Sequence, residues 1–278
     1  MTLAKRRIDV TITVGNETLV LTGHRVIAEI VNAGGATQGQ LSMRIYGLPL
    51  AKINQLTMIG PTMTQYRGKN SISVSAGDDG AALSLIYTGQ IDQAWGDFQA
   101  APEVCLNITA LAALGAALNA VDGTSYKGSA DVAQIMSDLA KEAGLAFVNH
   151  GVNVRLAGPV FQRSTLEKIA TCAEAARIDY FVDRGTLHIW PKGGARGGDV
   201  PLFSAAKGMV GYPLFSSGGI GVQSIFRPDV FLGGKFAVES SLTAARGEWN
   251  VFAVQHSLES ERPSGAWFTY VSGYRPPP

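Results

Sequence analysis

From Arg7 to Val14 every second residue is aliphatic (Ile8, Val10, Ile12, Val14), and a Gly15-Asn16 pair follows at once. A period of two puts one set of side chains on one face of a strand, and a glycine-asparagine pair tolerates the positive φ of a tight hairpin. The start of the chain is therefore confined to antiparallel sheet, returning through Thr18 to Leu21 and continuing as a third strand from Val26 to Val31. After a Gly34-Gly35 turn, Gln40 to Tyr46 reads as another strand. Leu50, Ile53 and Leu56 then change the period and predict one short helix inside Leu48 to Leu56. Strand signals resume at Ile59, pass through Ser71 to Ser75, turn at Asp78-Asp79-Gly80, and run from Leu83 to Phe98 with Gly89 as the expected bulge. Glu103 to Thr109 is a last alternating segment. Many short strands with glycine turns predict a barrel or sandwich.

The middle of the chain, residues 110–192, has a different texture. Ser129-Ala130-Asp131 caps a helix whose Val132, Ile135, Leu139 and Ala143 share a face, and Gly144 stands where a left-handed residue ends it. Ser164 and Glu167 form a capping box before Ile169, Ala170, Ala173 and Ala176 at helical spacing. Tyr180 to Asp183, Arg184-Gly185 and Thr186 to Trp190 then read as a hairpin. Residues 193–199 are too rich in glycine for regular structure and mark a linker. Strand texture returns from Pro201, with strands expected over Ile220 to Phe226, Lys235 to Leu242, Gly247 to Ser257 and Trp267 to Gly273. The fold class is thus mainly β with an α+β insertion. The expected division is a β domain over 1–109, an α+β module over 110–192, a linker over 193–199 and a second β domain over 200–278.

Composition excludes several functions. Charged residues make up 16% and hydrophobic residues 46% of the 278, which leaves less charged surface than soluble domains usually carry and predicts that some uncharged surface meets a partner. A net charge of +1 supplies no field for specific nucleic-acid or anionic-membrane binding. The basic Met1 to Arg7 precedes alternation rather than an unbroken apolar run, so it does not read as a signal peptide, and folding in a cytoplasm is expected.

Candidate chemistry is sparse. Cys105 and Cys172 stand alone and read as buried free thiols. His24, His150, His188 and His256 are far apart in sequence, none at metal-ligand spacing, and each reads as a packed imidazole, although proximity in the fold stays open. Gly68-Lys69-Asn70-Ser71 fails as a phosphate loop, because Met63 replaces the first glycine and Asn70 separates the lysine from the hydroxyl residue. Gly218-Gly219-Ile220-Gly221 precedes a strand, not a helix, and reads as a loop entering it. Asp78-Asp79, Glu259 and Glu261 read as solvated turn carboxylates. No catalytic, cofactor or metal residues are predicted. The aromatics Trp95, Trp190, Trp249, Trp267, Phe98, Tyr180, Phe252 and Phe268 lie in or beside strands, where core packing or a subunit contact would account for each.

Two stretches carry a family resemblance. One is Gly128 to Ile135, Ala143-Gly144-Leu145 and the Asp183 to Ile189 hairpin. The other is Lys207 to Pro213, Gly219 to Val222, Phe226-Arg227-Pro228, Gly233 to Phe236, Gly247 to Val251 and Val254 to Leu258. The chain resembles the baseplate hub proteins of tailed phages, related in fold to late-control and contractile-injection hubs. The resemblance implies two tube-like β domains and a homotrimeric ring that adapts a hexameric tail tube to a three-fold spike. It also implies a virion location, no enzyme activity, tube, baseplate and spike proteins as partners, and a lumen through which DNA passes. Alternatives are a tail tube or distal tail protein, or a hydrolytic cell-wall-interacting component, for which no catalytic glutamate or Cys/His pair is found. Expected docking loops contain Gly34, Gly35 and Gly39, then Asp78, Asp79 and Gly80, and finally Gly193, Arg196 and Gly198.

Overall fold

A computed structural model of the chain describes residues 5–35, 37–59, 63, 67–99 and 101–275. The first β region holds β1 (Arg6–Val14), β2 (Glu17–Leu21), β3 (Val26–Ala33), β4 (Gln40–Tyr46), α1 (Leu50–Leu56), β5 (Ser71–Asp78), β6 (Ser84–Asp97) and β7 (Cys105–Leu111). The alternation read from the sequence is the burial pattern itself: Ile8, Val10 and Ile12 point inward, beside Val26, Ile30, Met43, Ile45, Ile72, Val74 and Ile108. Glycine at position 15 takes φ 58° in the predicted hairpin turn.

The middle region holds α2 (Leu114–Leu118), β8 (Thr124–Ser125), β9 (Ser129–Asp131), α3 (Val132–Glu142), β10 (Ala146–Asn149), β11 (Arg155–Ala157), β12 (Val160–Phe161), α4 (Thr165–Ala176), β13 (Ile178–Asp183) and β14 (Thr186–Pro191). Asp131 caps α3 by accepting from the Ala133 amide, and Ser164 with Glu167 completes the predicted capping box of α4. The two helices pack Ile135, Leu139, Ile169 and Cys172 against Leu187 and Ile189 of the hairpin. Both cysteines are buried free thiols.

The second β region holds β15 (Leu202–Phe203), β16 (Met209–Ser216), β17 (Gly219–Ile225), β18 (Lys235–Val238), β19 (Gly247–Glu259) and β20 (Trp267–Tyr274). It has its own core around Phe203, Phe236, Trp249, Val254 and Val271. The two β regions nevertheless share one antiparallel path, β16-β17-β20-β19-β3-β4-β7-β6-β5-β1-β2, joined where β19 pairs with β3. Leu258 and Trp267 pass into the first core, and Arg25 pairs with Glu259 at 3.0 Å across the join.

The two regions are built on the same plan. In each, a hairpin (β3–β4, β16–β17) is followed by a short strand (β5, β18), a long strand (β6, β19) and its return (β7, β20). Ser71 opens β5 opposite Gln90, which also faces Leu111; Lys235 opens β18 opposite Asn250, which also faces Tyr274. Two residues further along, each long strand bulges by one residue, at Asp92 between Ile91 and Gln93 and at Phe252 between Val251 and Ala253. The same strands meet in the same register around the same bulge, so residue-by-residue equivalences follow: Gln93 with Ala253, Gly96 with His256, Ser42 with Gly221, Ile30 with Phe215.

Several expectations fail on this frame. Gly89 sits in register opposite Ile72; the bulges fall at Ile86 and Asp92, where side chains are forced out of alternation. Between Leu56 and β5, Met58 alone among the described residues makes a strand-like bridge, to Ala94. Ile59 lies outside any strand, and much of the segment that follows lies outside the described residues. β18 ends at Val238 instead of Leu242. The Lys207 to Pro213 stretch contains the start of an edge strand, bent where Gly211 takes φ 68° and the register with β17 shifts between Val210 and Leu214.

Candidate assembly surface

One face of the shared sheet is the core side and the other is open. In the first β region the open face carries mostly hydroxyl and amide side chains, from Thr11, Thr13, Ser71, Ser73, Ser75, Gln90, Gln93, Asn107, Thr109, Gln40 and Ser42, with Arg7, Asp9, Arg44, Leu111 and Trp95 among them. Around the join, Glu29 is held by Ser257 at 2.5 Å and Gln255 at 3.2 Å. Such a face keeps its water and offers little for a partner to bury.

The strands that end this face are different. β16 pairs with β17 on one side and with nothing on the other among the described residues, and no charged residue occurs between Lys207 and Arg227. Leu214 is 75% and Phe215 55% exposed, with Tyr212, Val210 and Ile225 also open to solvent. An uncharged apolar edge is an aggregation hazard that soluble proteins normally blunt; the bulge and Pro213 do so only at the centre of the strand. A second exposed apolar group lies at the far end of β6, where Trp95 is 38% and Phe98 48% exposed. On that side of β6 the Met58 bridge occupies Ala94, and beyond it no strand lies alongside among the described residues.

The loops singled out from sequence have mixed positions. Gly34, Gly35, Asp78, Asp79, Gly80 and Gly198 are exposed, and Gly193 is half-buried. Gly34, Gly35 and Gly193 meet at one cavity of 680 Å³, walled by Tyr180, Trp190, Phe252 and Tyr274. Two residues are corrections. Gly39 is buried, and a Cβ there would stand 3.6 Å from the Phe181 ring and 2.6 Å from Asn32 Oδ1. Arg196 is also buried, its guanidinium donating to Leu232 O at 2.9 Å and lying 3.4 Å from Asp183 Oδ2. Its ring contact is Phe231, 4.6 Å away. A glycine-rich segment thus hides an arginine clamp between the middle region and the second β region, which composition alone did not reveal.

Two of the histidines lie near that clamp. His150 Nε2 and His188 Nδ1 are 3.0 Å apart with stacked rings, brought together by the parallel pairing of β10 with β14. Burial, aided by Arg196, pushes His188 down to about 4, and lowers His150 in the same way. Burial alone would raise Asp183, but Arg184 and Arg196 hold it below the usual carboxylate range. His256 is buried and bonded to Thr269 Oγ1 at 2.9 Å, and His24 lies 3.1 Å from the Tyr46 carbonyl. Among the described residues no group of three or more His, Cys, Asp or Glu is placed to hold a metal ion. Of the carboxylates read as solvated turn groups, Asp79 pairs with Arg7 at 3.6 Å and Glu261 with Lys5 at 2.8 Å, whereas Glu259 is buried at the end of β19 and pairs with Arg25. Asn70 is buried and Gly219 opens β17, so neither glycine-rich motif forms an anion cradle.

Mainly β, with a shared antiparallel sheet and an α+β insertion, the fold is that of phage tail proteins. It is similar to a tail protein from Neisseria meningitidis MC58, at TM-score 0.65 and 11% identity over 96% of each chain. It is also similar to the 43 kDa tail protein of prophage MuSo2 from Shewanella oneidensis, at TM-score 0.61 and 12% identity over 96% of this chain and 97% of that one. A third likeness, at TM-score 0.61 and 10% identity over 96% of this chain and 79% of the other, is to the E. coli c3393 protein. That protein is described as a type VI secretion component structurally similar to the T4 tail proteins gp27 and gp5. No curated protein matches the sequence. The chain belongs to the baseplate hub gp41 family, whose model matches residues 7–270.

Proposed function

We propose that this chain is the hub subunit of a phage tail baseplate, forming a homotrimeric ring that adapts a six-fold tail tube to a three-fold spike. The observation that carries the reading is the internal repeat: two β units of one plan per chain give six similar units from three copies. A ring with three-fold identity and six near-equivalent faces can dock on a hexamer. In this reading residues 1–109 and 200–278 are the two tube-like domains, 110–192 is the module between them and 193–199 the linker. The open face, lined mostly by hydroxyl and amide side chains, is the natural wall of a lumen, since few of its groups would grip DNA or protein passing along it. The chain works by packing, without turnover, in a virion part assembled in the host cytoplasm, and its partners are copies of itself, tube or baseplate proteins and a spike.

Light scattering on the purified full chain across a concentration series tests the stoichiometry. The expected mass is three times 29.3 kDa. A single-chain mass throughout would overturn the ring.

A further inference from the structure

Resting on the hub reading, we infer that the contact between copies repeats the contact within the chain: β16 of one copy lies antiparallel along the far half of β6 in the next. Inside the chain, β19 receives β3 with Gln255 opposite Val31, His256 opposite Ile30 and Ser257 opposite Glu29. The repeat makes β6 the counterpart of β19 and β16 the counterpart of β3, with Trp95, Gly96 and Asp97 standing for Gln255, His256 and Ser257. Ser42 faces both Thr109 and Glu29, as Gly221 faces both Ser272 and Leu214, so Leu214, Phe215 and Ser216 stand for Glu29, Ile30 and Val31. The junction between copies therefore sets Trp95 opposite Ser216, Gly96 opposite Phe215 and Asp97 opposite Leu214.

Strand direction agrees. From β16 through β17, β20, β19, β3, β4 and β7 to β6 every neighbour is antiparallel. An odd number of antiparallel steps leaves β6 opposed to β16, and rotation about a ring axis preserves that opposition. Chemistry agrees as well. Among the described residues Leu214, Phe215, Trp95 and Phe98 are all exposed, and this one contact sets Leu214 beside Trp95 on one face and Phe215 beside Phe98 on the other. Phe215 meets a residue with no side chain, and Phe98 already lies under Gly96, where an added Cβ would stand 2.6 Å from its ring. Met58 holds the place that Asn32 takes in the internal contact, so the incoming strand stops short of Ala94. The occupant is a second copy because the covering edge and the covered edge belong to the same chain, and pairing them closes a ring with neither edge left over.

The test is a full chain carrying Trp95→Cys and Ser216→Cys, oxidised and run without reductant, with each single variant as control. Opposed residues on paired strands lie within disulfide reach, and the native thiols are buried. The double variant is expected to give a covalent trimer, the singles none, and a mixture of the two singles covalent dimers. Phe215→Asp, made at an exposed position, is expected to weaken association roughly tenfold or more while the chain stays folded. Trimers by mass that fail to cross-link, or association unchanged by Phe215→Asp, would overturn this contact and leave the hub reading standing. Monomers in the unsubstituted chain would overturn both.

Discussion

Replacing Lys168 by methionine is expected to lower stability by about 3 kcal/mol. The Lys168 side chain is fully buried on α4, and its ammonium donates to Asp122 O at 2.5 Å, Thr124 Oγ1 at 2.9 Å and Glu142 Oε1 at 3.1 Å. These three acceptors come from the 122–124 segment and the end of α3, so one cation ties both to α4. Methionine keeps the volume and removes every donor, leaving the Asp122 carbonyl and Thr124 hydroxyl without this partner and the Glu142 carboxylate unpaired. Glu142 is 29% exposed, so water recovers part of the loss, which places the effect at the low end of the range for broken buried pairs. Equilibrium denaturation reads it as a lower midpoint, and a midpoint equal to the parent's would show that the network contributes nothing net.

Acid is expected to act on the other buried charges. His188 and His256 are each held down to about 4, chiefly by burial, with Arg196 adding to the effect at the first and Arg184 at the second. Unfolded histidine titrates near 6.5. Between those values the unfolded chain takes up protons that the folded chain refuses, so unfolding free energy is whole above about pH 6.5 and falls as the pH drops towards about 4. Two such groups remove on the order of 5 kcal/mol across that window. Asp183, depressed in the fold, loses its contribution at still lower pH, in the same direction. Denaturation midpoints measured at intervals from about pH 7 to about pH 4.5 should decline, and less steeply in His256→Gln; a flat profile would contradict the account.

The sequence is a good guide where local chemistry decides. The β1–β2 hairpin, α1, both capped helices and the β13–β14 hairpin follow from alternation, helical spacing, a capping box and turn glycines, each acting over a few residues. It is a poor guide where distant segments decide. β16 contains Gly211 and Pro213 and lies outside every strand expected from the sequence, and it becomes a strand only because β17 lies beside it. Arg196 hides in a glycine-rich segment because its partners, Asp183 and Leu232, come from other elements. The His150–His188 pair needs the β10–β14 crossover to exist. The internal repeat is invisible for a related reason. Equivalent positions such as Asp92 and Phe252, or Gly96 and His256, share no side-chain chemistry, and what they share is register around a bulge. Of the residues that the proposed contact uses, Trp95 and Phe98 are legible as strand aromatics suited to a subunit contact, whereas Leu214 and Phe215 lie outside every expected strand; their openness is a property of the folded edge.

In the proposed hub one chain supplies two like β units to a closed ring of three. Rotational analysis of electron micrographs of the assembled, unsubstituted chain tests it most directly. Three-fold particles whose central wall shows six similar lobes around a lumen are expected. Two-fold particles, or three-fold particles with only three lobes in the wall, would contradict it.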